Sequence, residues 1–417
     1  MNILLIRFSA LGDVAMLAPV VREYALKHPS DTLTVLSKPF HAPLFDDIAP
    51  NVHFLGRDPK RDYKGIRGLY RLFRELHLMN FDLVIDMHDV LRTKFLRNLF
   101  RVYGYEVRKM DKHRSLRRKI TASEEKKQLM RLPTAFENYC EALGASSEEL
   151  RVKSEEYREA LDASSEELRV KSEESHADDI QSKGNSNWLS PSGRRAKPSS
   201  LFILHSSLPS AARIGLAPFA AHQGKIYPVE RMEKVIELLI EKRPECRIIL
   251  FGGGGKEKEQ MEKWAEKYSN VELASMLSEE LRVKSEKFKL RGEKEDVSEE
   301  CQSKGNSNSS LFTLHSSLTD SSLYYELQLM KDLDVMLSMD SANMHLASLM
   351  GTRVVSIWGA THPWAGFLGW GQSEDDCVQR HDLKCRPCSI YGNKPCQRGD
   401  MECMNIEPSK VVEQLLK

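Results

Sequence analysis

The chain has 417 residues, a length that favours two domains over one. Its 61 Lys and Arg against 60 Asp and Glu leave a formal charge of +1, which excludes a bulk nucleic-acid binder, whose signature is a strong basic excess. Hydrophobic residues make up 41%, enough for ordinary cores, yet no apolar run approaches the roughly 18 residues of a membrane span.

The N-terminus MNILLIRFSALGD has a short apolar stretch interrupted by charge, which reads as a buried first strand and not as a signal peptide. A cytoplasmic location is expected, with the 8 Cys held as reduced thiols or metal ligands and not as a disulfide framework. Asn2 to Arg7 is a parallel-strand pattern, Ser9 to Asp13 a tight turn, and Val14 to His28 an amphipathic helix stopped at Pro29. Thr32 to Leu36 and Val52 to Leu55 read as strands, Ile66 to Leu78 as a helix, and Leu83 to Met87 as another buried strand. Strands alternating with helices predict a parallel, doubly wound sheet. No G-x-G-x-x-G follows the first strand, so this half is a poor dinucleotide site. Lys109, Lys112, His113, Arg114, Arg117, Arg118 and Lys119 make a basic stretch, either a solvated helix face or a cradle for an anionic acceptor. Leu132 to Leu143 is predicted as the helix that closes a first domain of residues 1–145.

Internal repetition follows. SSEELRVKSEE occurs at Ser146 and again at Ser164, and SEELRVKSE returns at Ser278. QSKGNSN stands at Gln181 and Gln302, and SSLFILHSSL at Ser199 is matched by SSLFTLHSSL at Ser309. A solenoid would stack its repeats contiguously. These are far apart and polar, a composition that favours disorder or a loose charged helix. They read as two passive insertions, residues 146–208 and 278–318, in surface loops that tolerate length at small entropic cost.

A second domain, residues 209–407, begins near Ala211. Arg213 to Ala217 is a strand, Val229 to Lys242 a helix, and Arg247 to Phe251 a strand running into Gly252 to Gly255 and the helix Lys256 to Tyr268. Leu323 to Met330 is a helix, followed by a βαβ unit: strand Val335 to Met339, Asp340 and Ser341, helix Met344 to Met350, Gly351, and strand Val354 to Ile357. An aromatic loop, a cysteine cluster and a last helix, residues 408–417, complete the chain. Three loops would lie at the carboxyl ends of neighbouring parallel strands: Ala220 to Lys225, Gly252 to Glu257, and Asp340 to His345. A lysine, bare backbone and a helix start can together hold a diphosphate. Singly each reads as less: a glycine turn, a solvated lysine, Asp340 as an N-cap, His345 as a packed helix residue. In the first domain, Asp13 is either the N-cap of the helix beginning at Val14 or a general base aimed across a cleft.

RFSALGDV before a helix, a K-x-(W/Y)-P loop, and (S/M)DS-x-x-x-HLA-x-x-x-G-T followed by (F/W)G-x-T-x-P resemble glycosyltransferase family 9, the heptosyltransferases of lipopolysaccharide core assembly. The resemblance covers nearly everything outside the insertions. It implies an α/β GT-B fold: two Rossmann-like domains facing across a cleft, the acceptor on the first and the nucleotide sugar on the second. It also implies inverting transfer with no catalytic metal, from a nucleotide-diphosphate heptose such as ADP-heptose to a lipid A–core acceptor. Contact with the cytoplasmic face of the inner membrane is then expected. Carried over, Asp13 matches the catalytic acid of the G-D motif and Lys225 the lysine facing the donor diphosphate. Asp340, Ser341, Ala342 and His345 match the D-(S/T)-G-x-x-H stretch of the donor site. The chain departs at Ala220 and Ala221, where hydroxyl residues are common, and at Ala342, where the family has glycine; only backbone contacts are left at Ala221. Gly253 and Gly254 would line the diphosphate, and Glu257 is the carboxylate expected near the nucleoside. Arg61, Lys64, Arg114, Arg117 and Arg118 are the expected acceptor-binding residues.

Cys385-x2-Cys388-x7-Cys396-x6-Cys403 has the density of a structural zinc site, separate from the chemistry, or of reduced cysteines in a knotted loop. The loops do not name the sugar or the base. A family-9 transferase with another sugar or acceptor, a Rossmann-type oxidoreductase, and a non-catalytic nucleotide binder are the competing readings.

Overall fold

NILLI at Asn2–Ile6 forms β1, and four of its five residues are buried, as a strand covered by helices on both faces requires. The computed structural model describes residues 1–145, 211–283 and 322–417. Around β1 pair β2 (Thr32–Ser37), β3 (Val52–Gly56), β4 (Leu83–Asp86) and β5 (Glu106–Lys109), all parallel, in the order β3-β2-β1-β4-β5. A second parallel sheet holds β6 (Arg213–Ala217), β7 (Arg247–Leu250), β8 (Val271–Leu273), β9 (Val335–Met339), β10 (Val354–Trp358) and β11 (Cys377–Gln379), in the order β11-β10-β9-β6-β7-β8. Each sheet starts at its centre, winds outward on one side and returns on the other. The switch points fall between β1 and β4 and between β6 and β9, where loops diverge and leave a crevice at the carboxyl ends. The two parallel sheets match the expected GT-B architecture.

Helices cover both faces of each sheet. In the first domain these are α1 (Leu11–Lys27), α2 (Gly65–His77), α3 (Leu91–Val102), α4 (Arg114–Ile120) and α5 (Ala135–Leu143). In the second they are α6 (Val229–Lys242), α7 (Lys256–Lys267), α8 over 274–283, α9 (Ser322–Lys331), α10 (Ala342–Leu349) and α11 (Pro408–Leu415). One core joins Leu4, Ile6, Phe73 and Phe100 under α2 and α3. Another joins Ile214, Ile248, Trp264 and Val411 behind the second sheet. A third runs from Ile3, Val14, Leu17 and Tyr139 into Met344 and Leu346, so apolar packing is continuous from α1 to α10 across the domain boundary.

The structure corrects several sequence expectations. Helix α1 begins at Leu11, so Asp13 is not the N-cap; Ala10 is, and Asp13 is the third helical residue. Helix α5 begins at Ala135 and not at Leu132. Thr134 caps it, its hydroxyl accepting from Glu137 N–H at 3.1 Å while Glu137 accepts from Thr134 N–H at 2.7 Å. Pro133 pushes Leu132 toward extended backbone, and Leu132 N–H donates to Trp364 O at 2.9 Å in the other domain. The α3, β5, β8 and β11 elements were not foreseen. Residues 278–283, the start of the second repeat copy, belong to α8, where Ser278 is buried and Leu281 packs against the core. The rest of both copies lies outside the described residues.

Candidate functional site

The chain leaves β1 at the first switch point and turns at once into α1, which carries Asp13 to the crevice. Both contacts of the carboxylate fall on Oδ2: Arg7 Nη2 lies at 2.7 Å and Ala10 N–H donates at 3.1 Å. Oδ1 is left without a hydrogen bond among the described residues. Burial works to raise the carboxyl pKa, but the Arg7 charge and the Ala10 N–H override it and hold Asp13 below the usual carboxylate range. Arg7 is itself enclosed: it donates to Met87 O and lies 5.6 Å from the ring centroid of Tyr139, whose hydroxyl donates to Asp13 O at 3.1 Å. The local capping contact and the free oxygen coexist on one side chain.

Gly12 explains how Asp13 reaches the second domain. A Cβ there would stand 2.7 Å from His345 Cδ2 and 3.3 Å from Ala342 Cα, so only glycine lets α1 lie against the start of α10. His345 is buried, and burial pushes its imidazole down to about 4 despite the carboxylates of Asp340 and Asp13. It is neutral at pH 7, a packed helix residue beneath the site.

Three loops of the second domain converge opposite Asp13. The loop after β6 ends at Lys225, whose Nζ lies 2.9 Å from Asp340 Oδ2. Its stem runs along Gly392, where a Cβ would stand 2.6 Å from Lys225 Cγ and where φ is +69°. After β9, Ser341 and not Asp340 is the N-cap of α10, and its hydroxyl makes no cap bond; it meets Ser338 Oγ at 3.2 Å. The first N–H groups of α10 therefore have no side-chain acceptor, and the helix dipole makes that end attractive to an anion. After β7, Gly253 N–H donates to Glu257 Oε2 at 3.2 Å, and Gly255 caps α7 at φ +66°. Glu257 thus ties down the glycine turn.

These groups enclose a cavity of about 450 Å³. Asp13, Ala221, Lys225, Gly253, Glu257, Asp340, Ser341, Ala342 and His345 all line it, together with Phe219, Phe367 and Tyr391. Gly254 does not. Nor do Arg61, Lys64, Arg114, Arg117 and Arg118. Arg61 pairs with Asp62 at 3.6 Å and Arg114 with Asp89 at 3.0 Å, while Lys64 and Arg118 are exposed. Arg117 bridges the domains: it donates to Tyr391 OH at 2.7 Å and lies 5.1 Å from the Phe367 ring centroid. Sequence reasoning missed Arg7, although a cation ending a buried strand had to find a partner. It also missed Tyr139, Phe367 and Tyr391, which come together only in three dimensions.

The four clustered cysteines are free thiols, and among the described residues no group of three or more His, Cys, Asp or Glu is placed to hold a metal ion. The four thiols lie close enough that Cys385, Cys388 and Cys396 all act electrostatically on Cys403, so the cluster read from the spacing is formed. Cys403 is buried in the core with Tyr227 and Met404, and burial pushes its thiol up to about 11. Cys388 Sγ donates to Ala360 O at 3.8 Å, and Cys396 Sγ lies 4.0 Å from Asp400 Oδ1.

No curated protein sequence matches the chain. Among solved structures, the glycosyl transferase family 9 protein from Veillonella parvula is similar at 16% identity and TM-score 0.56, over 99% of this chain and 95% of that one. The E. coli ADP-heptose lps heptosyltransferase II is similar at 14% identity and TM-score 0.54, over 100% of this chain and 97% of that one. At these identities the likeness speaks to the fold. The family description "Glycosyltransferase family 9 (heptosyltransferase)" matches residues 69–281 and 289–394, most of the chain; Asp13 lies outside that match, so its place rests on the geometry above. The chain belongs to glycosyltransferase family 9, the heptosyltransferase family.

Proposed function

We propose that the protein transfers a heptose from ADP-heptose, with inversion at the anomeric carbon, to a saccharide acceptor of the lipid A–core type. The observation that carries this reading is the placement of Asp13 opposite Lys225 and the start of α10 across one cavity. The donor diphosphate would lie between Lys225, Ser341 and the N–H groups of Ala342 and Asn343, with the glycine turn and Glu257 on the nucleoside side. The acceptor would enter over the first domain, past Arg114 and the basic stretch beyond it. Its hydroxyl attacks the anomeric carbon from the face opposite the diphosphate. That carbon–oxygen bond forms as the bond to the diphosphate breaks, and the hydroxyl proton passes to Asp13 Oδ1. A carboxylate held below its usual pKa is a weak base, which suffices because the attacking oxygen becomes strongly acidic only as its new bond forms. Charge developing on the departing diphosphate is met by the Lys225 ammonium and the α10 terminus, which supply the electrostatic help a cation would give. Support for the donor comes from the E. coli relative, named for ADP-heptose.

The test is Asp13→Asn. It should abolish transfer while calorimetric affinity for the donor stays within a few-fold; retained turnover would remove Asp13 as the base. A thermal-shift screen of ADP- and UDP-sugars, with mass spectrometry of the glycosylated acceptor, tests the donor assignment.

A further inference from the structure

Helices α2 (GIRGLYRLFRELH) and α3 (LRTKFLRNLFRV) lie side by side on one face of the first sheet, Phe73 stacking edge-on against Phe100 at 5.0 Å. Their inner faces fill the core under that sheet. Their outer faces are unusual in two respects at once. Large apolar side chains stand in solvent: Ile66 is 70% exposed, Leu91 86% and Val102 79%. Single exposed apolar residues are ordinary; here they share two neighbouring helices with a set of unneutralised cations. Among them stand Arg67, Arg71, Arg74, Arg92 and Arg101, all exposed. The two helices contain one acid, Glu75, and it is taken by Tyr63 OH at 2.6 Å and Arg57 at 3.4 Å. No carboxylate pairs with Arg67, Arg74 or Arg92 among the described residues. The local charge is thus strongly positive in a chain whose net charge is +1.

We propose that the outer face of α2 and α3 docks on an anionic phospholipid surface, with aliphatic side chains entering the headgroup boundary and arginines meeting the lipid phosphates. The combination is that of an interfacial element: exposed aliphatic side chains interspersed with cations that no carboxylate neutralises among the described residues. A nucleic-acid surface would want the cations and gain nothing from Ile66, Leu91 and Val102. The topology adds a consequence. The N-termini of α2 and α3 follow the carboxyl ends of β3 and β4, and α1 follows the carboxyl end of β1 in the same parallel sheet. Ile66, Leu91 and Arg92 therefore stand at the edge of the sheet that also carries Asp13. A bilayer on this face would present its headgroups at the rim of the cleft, where a lipid-linked acceptor is needed. The surface itself stands on exposure and charge; only this last consequence rests on the proposed transfer.

The experiment is flotation of the full chain with vesicles of phosphatidylethanolamine and phosphatidylglycerol, against vesicles of phosphatidylcholine alone. Binding is expected on the anionic vesicles, much weaker on the neutral ones, and falling as salt is raised. Arg67→Glu with Arg74→Glu should weaken it by about tenfold or more, and so should Ile66→Ser with Leu91→Ser. All four positions are at the surface and outside the cavity, so transfer to a water-soluble, deacylated acceptor should be unchanged. Absence of vesicle binding overturns the proposal. So does binding that ignores both double variants, or a dimer in light scattering that the same variants dissociate, which would make the face a contact between copies. Equal binding to RNA that depends on the arginines and not on Ile66 and Leu91 also overturns it. Loss of transfer in wild-type protein with vesicle binding intact would count against the proposed function and leave the docking face standing.

Discussion

Arg7 and Asp13 show what single residues contribute. A buried guanidinium beside a carboxylate keeps the carboxylate ionised, and here both contacts fall on Oδ2 and leave Oδ1 open. In the proposed reaction the ionised form is the base, so activity should be lost as pH falls through the Asp13 pKa, which Arg7 holds below the ordinary value. In Arg7→Gln the upward push of burial is opposed by the Ala10 N–H and, more weakly, by His345. The acid limb of the kcat/KM profile should then move up by about one pH unit or more. A uniform fall in rate with the limb unmoved would reduce Arg7 to a structural part. Gly12 is the second decisive residue. Gly12→Ala puts a methyl 2.7 Å from an imidazole carbon, and His345 is enclosed with little room to yield. Overpacking of this kind costs about 1–3 kcal/mol, visible as a lowered midpoint in chemical denaturation, and it should depress kcat because α1 carries Asp13. Asp13, Lys225 and the Asp340 to His345 stretch were legible in the sequence because loop position and residue type suffice to nominate them. The Arg7 contact and the need for glycine at 12 were not, since both depend on elements that meet only in the folded chain.

At the scale of elements, the start of α10 is where the proposed donor diphosphate would sit, a helix end with no side-chain cap. Ser341 has extended backbone, φ −143° and ψ 177°, and Ala342 is the first helical residue. Proline is well tolerated at that position and its predecessor already has the backbone a proline requires. Ala342→Pro should therefore leave the melting temperature nearly unchanged while removing one N–H from the proposed donor site. A hydrogen bond to a charged group is worth about 1.5–3 kcal/mol, so donor affinity measured by calorimetry should fall about tenfold or more. Unchanged affinity would remove the helix start from the diphosphate site. The βαβ pattern around α10 was readable from its run of apolar residues, polar start and glycine stop. Helix α3 was not, because its arginines obscure an apolar stripe that shows only once Leu96 and Phe100 are seen to be buried.

Contacts between the domains add to what the cores hold together. Beyond α1 against α10, Leu132 N–H and Ala135 N–H donate to Trp364 O and Gly366 O, each at 2.9 Å, and Lys127 Nζ donates to Pro387 O at 3.0 Å. No helix among the described residues is long and apolar enough to cross a membrane. Among the described residues, none of those lining the cavity comes from the repeated blocks. Replacing residues 149–208 and 286–318 with short Gly/Ser linkers should thus leave transfer within a few-fold of the full chain. Extending the second cut back to Ser278 should lower the melting temperature, since it removes part of α8 and the packing of Leu281. Loss of activity in the first variant with its fold intact would show that the repeats act in the reaction.

The sequence by itself determined the two parallel sheets, the repeated blocks and the three loops that line one cavity. Hydrophobic period, glycine placement and helix starts are local properties, written within a few residues of where they act. Tertiary structure decided what lies between distant segments. It set Asp13 against Arg7 and over His345, put Arg117 to bridging the domains, and gathered the exposed arginines and aliphatic residues of α2 and α3 on one face. Those outcomes follow from the strand order around two switch points and from the close approach that Gly12 permits, and neither has a signature in any short stretch of the chain.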